Sequence, residues 1–362
     1  MQLDKQIITV MKGYAIMFIA LHNFLHIKSF TGFVQENENT FDVSRTWDYL
    51  NTFHTFELTD IGQFFSFLGW IGLPVFLFVS GYGLVKKYEN TPYIDINNYL
   101  LHSWKKLMLL LLPASLFFVT YSVMKGTWGS VIPKTVLQLS LLYNFTMPAL
   151  TISPGVFWYF GLAFELYALY ILLRRLNTNC LAIALGGAIL LQVITVAYFG
   201  PKSPEWSWVR HNFIGWCHIF ILGMIVAKSK IETFLFDKTL YLLLCAIVCI
   251  VLLPVSLLNM WSWLVFAPYI ALLFFVCLAG VVKNIRRLQK IGMWLGSYSA
   301  FIFVGHPIAR MLLMRFYYHI NVPLWLVTTL YIILFFMIAM AYKPIYIWLM
   351  SQDYTKILKR WT

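Results

Sequence analysis

Charged residues are scarce in this chain of 362 amino acids, because Asp, Glu, Lys and Arg together make up only 11% of it. A soluble domain carries about a quarter charged residues. A surface that faces water cannot be built from so few charges, and 60% of the chain is hydrophobic. The composition therefore excludes an ordinary soluble protein and predicts a surface that mostly faces lipid.

Acidic residues are scarcer than basic ones, with 14 Asp and Glu against 27 Lys and Arg, so the net charge is +13. Such an excess is also found in proteins that bind nucleic acids. Here the basic residues form short clusters between apolar runs instead of a stripe along one face. We therefore expect the lipid bilayer, and no nucleic acid, as a partner.

Motifs for metal, redox and serine-nucleophile chemistry are missing. None of the five cysteines forms a C-x-x-C pair, and the two thiols of Cys245 and Cys249, one helical turn apart, make a poor metal site. Ser80 has no G-x-S-x-G surroundings. The first apolar run lacks the small-residue site of a cleavable signal peptide. We expect no metal site and no permanently bound cofactor.

A transmembrane helix needs roughly 20 mainly apolar residues, and ten runs reach or approach this length. They lie at about 7–27, 66–86, 107–124, 156–173, 181–199, 213–227, 240–258, 262–282, 294–314 and 323–349. The predicted fold is an all-α integral membrane protein, a bundle of about ten transmembrane helices. It forms one domain over residues 1–362, with no appended soluble domain. Segment 131–148, bracketed by Pro133 and Pro148, predicts an interfacial helix.

Ten spans place both termini on the same side of the membrane. If that side is the cytoplasm, 18 of the 27 Lys and Arg residues lie at the cytoplasmic side and seven at the other. This is the bias expected of membrane proteins, so we predict cytoplasmic termini and an exterior position for residues 28–65, the long loop. At 38 residues, the long loop exceeds a plain connector. It either caps the mouth of a cavity or is a disordered exterior loop.

Ionisable side chains inside a membrane are costly, so each is a candidate functional residue. The candidates selected within the spans are Lys12, His22, Asn23 and His26 in the first, Glu165 in the fourth, and His306 and Arg310 in the ninth. His22 and His26 share a helical face because they are four residues apart. Taken singly, Lys12 is explained by snorkelling and His26 by a bond to a neighbouring carbonyl. Together these groups exceed what packing needs and predict a shared polar cavity.

Four short segments occur in order between residues 12 and 307. Their residues are Lys12-Gly13 followed by His22; Trp70, Gly72, Phe76, Phe78, Ser80 and Gly81; Trp158-Tyr159-Phe160 followed by Tyr167; and Gly296-Ser297-Tyr298-Ser299 followed by His306-Pro307. In these segments the chain resembles the acyltransferase-3 family of multi-spanning O-acyltransferases. The family histidine follows its basic residue by eleven positions, where this chain has Asn23. Either His22 acts from a slightly rotated position or His26 contributes.

The resemblance implies transfer of an acyl group, most often acetyl from acetyl-CoA, to a hydroxyl of a cell-surface glycan or lipid-linked sugar at the bacterial inner membrane. It implies His22 as the general base, Asn23 as its orienting partner, His26 as a supporting residue and His306 as the reserve candidate. Residues expected to bind the donor are Lys12, Ser80 and Gly81. Residues expected at the acceptor are Trp158, Tyr159, Glu165 and Arg310. Only Glu165 remains of an acidic pair that the family often carries. As packing or interface residues, Ser80, Trp158 and Tyr159 also have simpler explanations.

Two other functions stay open on the sequence alone. A multi-pass transporter or flippase of a glycan or lipid precursor would carry Gly- or Pro-broken spans at matching places in two halves, and Pro254, Gly292 and Pro307 have no clear partners of this kind. A non-catalytic sensor or anchoring protein would not need the intramembrane ionisable cluster. Acyl transfer is the function that the sequence favours.

Overall fold

A computed structural model describes residues 3–27, 31–52, 58–146, 155–229, 238–317 and 322–352. Pro148 and residues 28–30 and 53–57 of the long loop lie outside these ranges. Helices make up 84% of the structure, and the described residues contain no β-strand. The predicted all-α class is confirmed.

The α-helices of the described ranges follow one another along the whole chain. They are α1 Lys5–Leu25, α2 Val43–Thr52, α3 Leu58–Leu68, α4 Leu73–Tyr88, α5 Ile96–Met124, α6 Trp128–Leu139, α7 Trp158–Leu173, α8 Thr178–Phe199, α9 Pro204–Arg210, α10 Cys217–Ser229, α11 Thr239–Ser256, α12 Met260–Val265, α13 Ala267–Lys283, α14 Arg286–Tyr317 and α15 Leu324–Ser351.

Each of the ten predicted runs coincides with helical structure. The second run is α3 and α4, which the 3₁₀ turn Gly69–Gly72 joins, and the others are α1, α5, α7, α8, α10, α11, α13, α14 and α15. Within the described ranges, seven of these segments are long and apolar enough to cross a membrane, and α10 and α13 are shorter apolar helices. The all-α membrane bundle is confirmed, with ten as an approximate count. Segment 131–148 contains the end of α6 and the 3₁₀ turn Tyr143–Phe145.

Helix α1 is the centre of the bundle. Its N-terminus is capped by Asp4, whose carboxylate accepts a hydrogen bond of 2.8 Å from the Ile7 amide. Apolar residues on both sides of α1 belong to two buried clusters, one shared with α4, α10, α11 and α13 and the other with α5, α14 and α15. Helix α1 is therefore covered by neighbouring helices on both sides, so most side chains along it reach the interior of the protein.

Helices α1 and α14 form the most extensive helix pair. A Cβ at Gly13 would collide with the Gly292 carbonyl oxygen, and one at Gly296 would collide with the Thr9 carbonyl oxygen. These glycines therefore let the two backbones touch, as small residues do between membrane helices.

The described part of the long loop is folded against the bundle. Trp263 Nε1 donates to the Asn37 carbonyl oxygen at 2.6 Å, and Thr46 Oγ1 donates to the Leu257 carbonyl oxygen at 2.9 Å. The Phe41 amide donates to the Pro201 carbonyl oxygen at 3.0 Å. Helix α3 also begins eight residues before the predicted span at 66. Of the two sequence-based alternatives, residues 31–52 follow the capping one.

Candidate active site

Two cavities lie side by side within the helices. The smaller one has a volume of about 260 Å³, and we call it the histidine cavity. It is lined by His22 and Asn23 of α1, His26 just after α1, Glu36, Glu38 and Asn39 of the long loop, Trp158, His211 and Arg310. The larger one, about 670 Å³, is lined by Lys12, Ser80, Lys87, Tyr88, Tyr99, His102 and Lys106 among mainly apolar residues, and we call it the lysine cavity.

The two cavities share part of their walls. The residues that line both are Ile19 of α1, Leu73 of α4, Tyr159 of α7 and Phe303 of α14. Four different helices thus contribute to the junction between the cavities, which we call the junction ring. Ile19 lies one helical turn from His22, about 4.5 Å along the axis, and Lys12 lies about 15 Å from His22. Helix α1 therefore carries groups into both cavities.

His22 is held in one orientation by backbone carbonyls. Its Nδ1 lies 2.9 Å from the Ser66 carbonyl oxygen and 3.3 Å from that of Phe65. Carbonyl oxygens only accept hydrogen bonds, so Nδ1 carries a proton and, in the neutral ring, Nε2 carries the lone pair. Nε2 lies 3.8 Å from Glu38 Oε2. The ring has the tautomer of a general base with its basic nitrogen on the cavity side.

Two glycines explain why the Ser66 carbonyl reaches His22. A Cβ at Gly69 would lie 2.5 Å from the His22 Cβ, and one at Gly72 would collide with the Ala15 carbonyl oxygen. The 3₁₀ turn Gly69–Gly72 can therefore lie directly on α1. The segment with Trp70 and Gly72, which the sequence shares with the family, thus has a structural role: it brings the end of α3 against His22.

Asn23 and His26 surround His22 without taking its place. The His26 ring stacks on the His22 ring with centroids 4.7 Å apart, and its Nδ1 lies 2.9 Å from the His22 carbonyl oxygen. Asn23 Nδ2 donates to the Ile19 carbonyl oxygen at 2.9 Å, and the Asn23 carbonyl oxygen accepts from Arg310 Nη1 at 2.8 Å. Eleven residues make about three helical turns, so Asn23 shares a face with Lys12, and His22 reaches the cavity beside that face.

The acidic residues of the long loop were not predicted as site residues. The side chains of Glu36 and Glu38 line the histidine cavity. One carboxylate oxygen of each residue and one ring nitrogen of His22 all lie within 4.8 Å of one another. The geometry would also suit a cation, although the sequence predicted no metal. Burial alone would raise the pKa of Glu36, but His26 and His22 hold this pKa below its ordinary value. The only sequence signal was a cluster of acids in a long loop.

Two buried basic residues near α9 were also missed. Arg210 Nε and Nη2 donate to the Glu38 carbonyl oxygen at 3.3 and 3.0 Å, which ties the long loop to the bundle. His211 lines the histidine cavity edge-on to the Trp158 ring. Burial lowers the pKa of His211, so this ring is neutral near pH 7. Neither residue lies in a predicted membrane span, so neither stood out in the sequence as an ionisable group inside the membrane.

Three predicted site residues lie outside both cavities. Glu165 is buried on α7, where its Oε2 accepts a hydrogen bond of 2.7 Å from the Phe213 amide. His306 is fully buried behind Phe303, with Nδ1 3.2 Å from the Ile302 carbonyl oxygen. Gly81 allows α4 to touch α10, because a Cβ there would collide with the Phe220 carbonyl oxygen.

Of the residues predicted to bind the donor, Lys12 and Ser80 line the lysine cavity. Lys87, His102 and Lys106 also line it and were not predicted as individual site residues. Gly83, two residues after Gly81, lines this cavity with no atom near its missing side chain. Tyr159 belongs to the junction ring and is within hydrogen-bonding reach of Ser80. The cavity combines an apolar wall with a cluster of positive charge.

Comparison with known proteins gives the family of the chain. A family model described as an acyltransferase domain, that of the acyltransferase-3 family, matches residues 6–343, nearly the whole chain. The match runs from α1 through most of α15 and includes every residue that lines the histidine cavity and all that line the lysine cavity except Tyr346, Ile347 and Met350. Neither the curated proteins nor the solved structures contain a match.

Proposed function

Because the chain belongs to the acyltransferase-3 family, we propose that this membrane acyltransferase moves a short acyl group, acetyl, from acyl-CoA to a hydroxyl of a surface glycan or lipid-linked sugar. The observation that carries the proposal is the junction ring: it connects a cavity suited to the donor with a cavity that holds a general base. His22 lies one helical turn from this ring.

The lysine cavity supports the donor half of the proposal. Coenzyme A carries several phosphates, which Lys12, Lys87 and Lys106 would attract. Apolar residues line the rest of the cavity and suit the pantetheine arm. The distance of about 15 Å from Lys12 to His22 along α1 is of the order of an extended arm, so the thioester would reach the junction ring.

The histidine cavity supports the acceptor half. Sites for a whole small molecule are about 300–1,000 Å³, and this cavity has about 260 Å³. It therefore suits an acetyl group and the hydroxyl-bearing end of a sugar rather than an entire glycan. Arg310, Asn39 and Trp158 line it, which offers a cation, an amide and an aromatic surface to a sugar.

The chemistry follows from the His22 tautomer. The acceptor oxygen attacks the thioester carbonyl, and its proton passes to Nε2 as the new oxygen–carbon bond forms. A cation near the carbonyl stabilises the oxyanion, a role that suits Arg310. The carbon–sulfur bond then breaks, and the proton on Nε2 passes to the leaving sulfur, which releases CoA as the thiol.

The proposed location is the bacterial inner membrane with both termini in the cytoplasm. The distribution of Lys and Arg supports it, and acyl-CoA would then enter the lysine cavity from the cytoplasm. Thiol labelling from each side of intact cells tests this orientation. Single cysteines at the exposed positions Asp48 and Asn90, in a background in which all five native cysteines are replaced, should react from opposite sides. Reaction from the same side would contradict the ten-span arrangement.

The deciding assay uses the purified protein in lipid nanodiscs with acetyl-CoA labelled in the acetyl group and a lipid-linked sugar as acceptor. Label should move to the acceptor, with release of one free thiol per transfer, and His22→Ala should lower the rate of both by roughly 10²–10⁴-fold. Movement of the acceptor across a proteoliposome membrane without transfer of label would contradict the proposal and favour a flippase.

A further inference from the structure

The histidine cavity contains a carboxylate that the proposed chemistry has not yet used. Glu38 Oε2 lies 3.8 Å from His22 Nε2, the nitrogen that receives the proton. Glu38 comes from the long loop, 16 residues after His22 and outside every apolar run. Its position therefore depends on how the loop is folded over the bundle, which the sequence pattern does not show.

We propose that Glu38 is a positioning residue for acyl transfer: its carboxylate stabilises the imidazolium that forms when His22 Nε2 accepts the acceptor's proton. The proposal deepens the function proposed above and rests on it. It makes the described part of the long loop a component of the catalytic machinery, since removing the loop from the cavity would also remove the carboxylate.

The two ring nitrogens have separate partners. Nδ1 is bound to the Ser66 carbonyl oxygen at 2.9 Å, which fixes the ring from the side away from the cavity. A positive charge on the ring would lie between this carbonyl dipole and the Glu38 carboxylate. Both interactions favour the charged ring over the neutral one, so Nε2 becomes a stronger base in the transition state.

Of the other charged or titratable groups around His22, only Glu36 acts in the same direction as Glu38. His26 stacks on His22 from α1, and Glu36 of the long loop completes the acidic pair. From α14, Arg310 donates to the Asn23 carbonyl oxygen and His306 is buried behind the junction ring. His211 and Arg210 approach from the α9 side. Among these groups, only the two glutamates favour a positive charge on His22.

Arg210 explains how Glu38 keeps its place. This arginine is fully buried, its guanidinium stacks on the Trp216 ring at 3.8 Å, and Nη1 donates to the Gly215 carbonyl oxygen at 3.1 Å. Its remaining donors hold the Glu38 carbonyl oxygen. The backbone of Glu38 is thus attached to a buried part of the bundle, and this attachment places its side chain beside His22.

The test compares Glu38→Gln with Glu38→Asp and with Asp48→Asn, a change in an exposed acid of the same loop. In the nanodisc assay, Glu38→Gln should lower kcat by roughly 10–100-fold with little change in KM for acetyl-CoA, and the acid limb of the pH–rate profile should move to lower pH by about one unit. Glu38→Asp should restore part of the rate, and Asp48→Asn should match the wild type.

A second measurement needs no acyl transfer. Diethyl pyrocarbonate modifies neutral imidazole, so mass spectrometry of the His22 peptide across a pH series follows protonation of that ring. The midpoint of modification should fall in Glu38→Gln and stay in place in Asp48→Asn. An unchanged midpoint overturns the role of Glu38 even if the rate drops. If the wild type transfers no acyl group, the proposed function fails, while this titration still decides whether Glu38 acts on His22.

The same residues provide the rival explanation, a divalent cation bound by His22, Glu36 and Glu38. A cation on Nε2 would prevent that nitrogen from taking a proton. Metal analysis of the purified protein and an assay after EDTA treatment separate the two. Unchanged activity after chelation supports the role of Glu38, whereas loss of activity that zinc or manganese restores overturns it.

Discussion

The histidine cavity and the lysine cavity differ in how their polar groups are held. In the histidine cavity, backbone carbonyls of Ser66, His22 and Asn23 bind His22, His26 and Arg310, so each side chain has a fixed direction. In the lysine cavity, the cations lie on long flexible stems among apolar residues. The first arrangement suits a reaction that needs angles and distances, and the second suits attraction of a charged, elongated ligand. The histidine cavity is thus suited to orienting the reacting groups, and the lysine cavity is suited to attracting the donor.

The largest effect is expected from His22→Ala, which removes the base while leaving the lysine cavity intact. Loss of a general base lowers the rate by roughly 10²–10⁴-fold. Acetyl transfer at matched membrane abundance measures this loss, with His26→Ala, Asn23→Ala and His306→Ala as comparisons expected to lose less. If His22→Ala keeps more than about a tenth of the activity, the base has to be sought at His26 or His306.

Lys12→Ala should alter the other cavity alone. Loss of one charge-assisted bond to a phosphate costs about 1–3 kcal/mol, so KM for acyl-CoA should rise by roughly 5–150-fold while kcat at saturating donor stays near the wild-type value. Lys125→Ala is the matched control, because Lys125 lies outside both cavities over the Tyr121 ring. A fall in kcat with unchanged KM would assign Lys12 to the reaction rather than to the donor.

Phe303→Ala should enlarge the opening between the histidine cavity and the lysine cavity. The truncation widens the junction ring, and the added space should favour longer acyl chains. One methylene in an apolar pocket is worth about 1–3 kcal/mol, so the ratio of butyryl to acetyl transfer should rise by roughly tenfold. Phe301→Ala, a buried change on α14 outside both cavities, is the control. If the ratio of butyryl to acetyl transfer is the same in both variants, the junction ring does not select the length of the acyl group.

The smallest effect is expected from Lys202→Ala, which affects the edge of the loop that covers the histidine cavity. Lys202 Nζ lies 2.5 Å from Asp42 Oδ2 and, with Ser44, lowers the pKa of Asp42 to about 2. Because the folded-state pKa is depressed, the pair stabilises above the ordinary pKa of Asp and is lost as the pH falls through about 2. An exposed pair contributes about 0–1 kcal/mol.

Thermal unfolding checks this last prediction. The melting temperatures of Lys202→Ala and the wild type should differ only slightly between pH 5 and 8 and should converge at strongly acidic pH. A large loss of acyl transfer at pH 7 in Lys202→Ala would show instead that seating of the long loop depends on this one surface pair.

The spans were predictable because lipid demands long apolar helices, and this demand leaves a strong sequence signal. The cluster at His22 was predictable for the complementary reason, since an ionisable group in a span is rare. Glu38 was not predictable, because an acid in a long loop is ordinary and its approach to His22 depends on tertiary contacts through Arg210. Gly81 was predicted to bind the donor, but it lies against α10, and Gly83, two residues later, lines the lysine cavity instead.

The glycine contacts between α1 and α14 have a mechanical consequence. His22 and Lys12 stand on one of these helices, Arg310 and Phe303 on the other, and the touching backbones at Gly13 and Gly296 oppose sliding. A transporter rocks two bodies around its cargo, whereas here the close contact of α1 and α14 opposes sliding of these two walls past each other. In the proposed reaction only the acyl group passes from one cavity to the other, and coenzyme A does not cross the membrane. The free energy of a thioester made in one compartment then drives acylation of an acceptor in another.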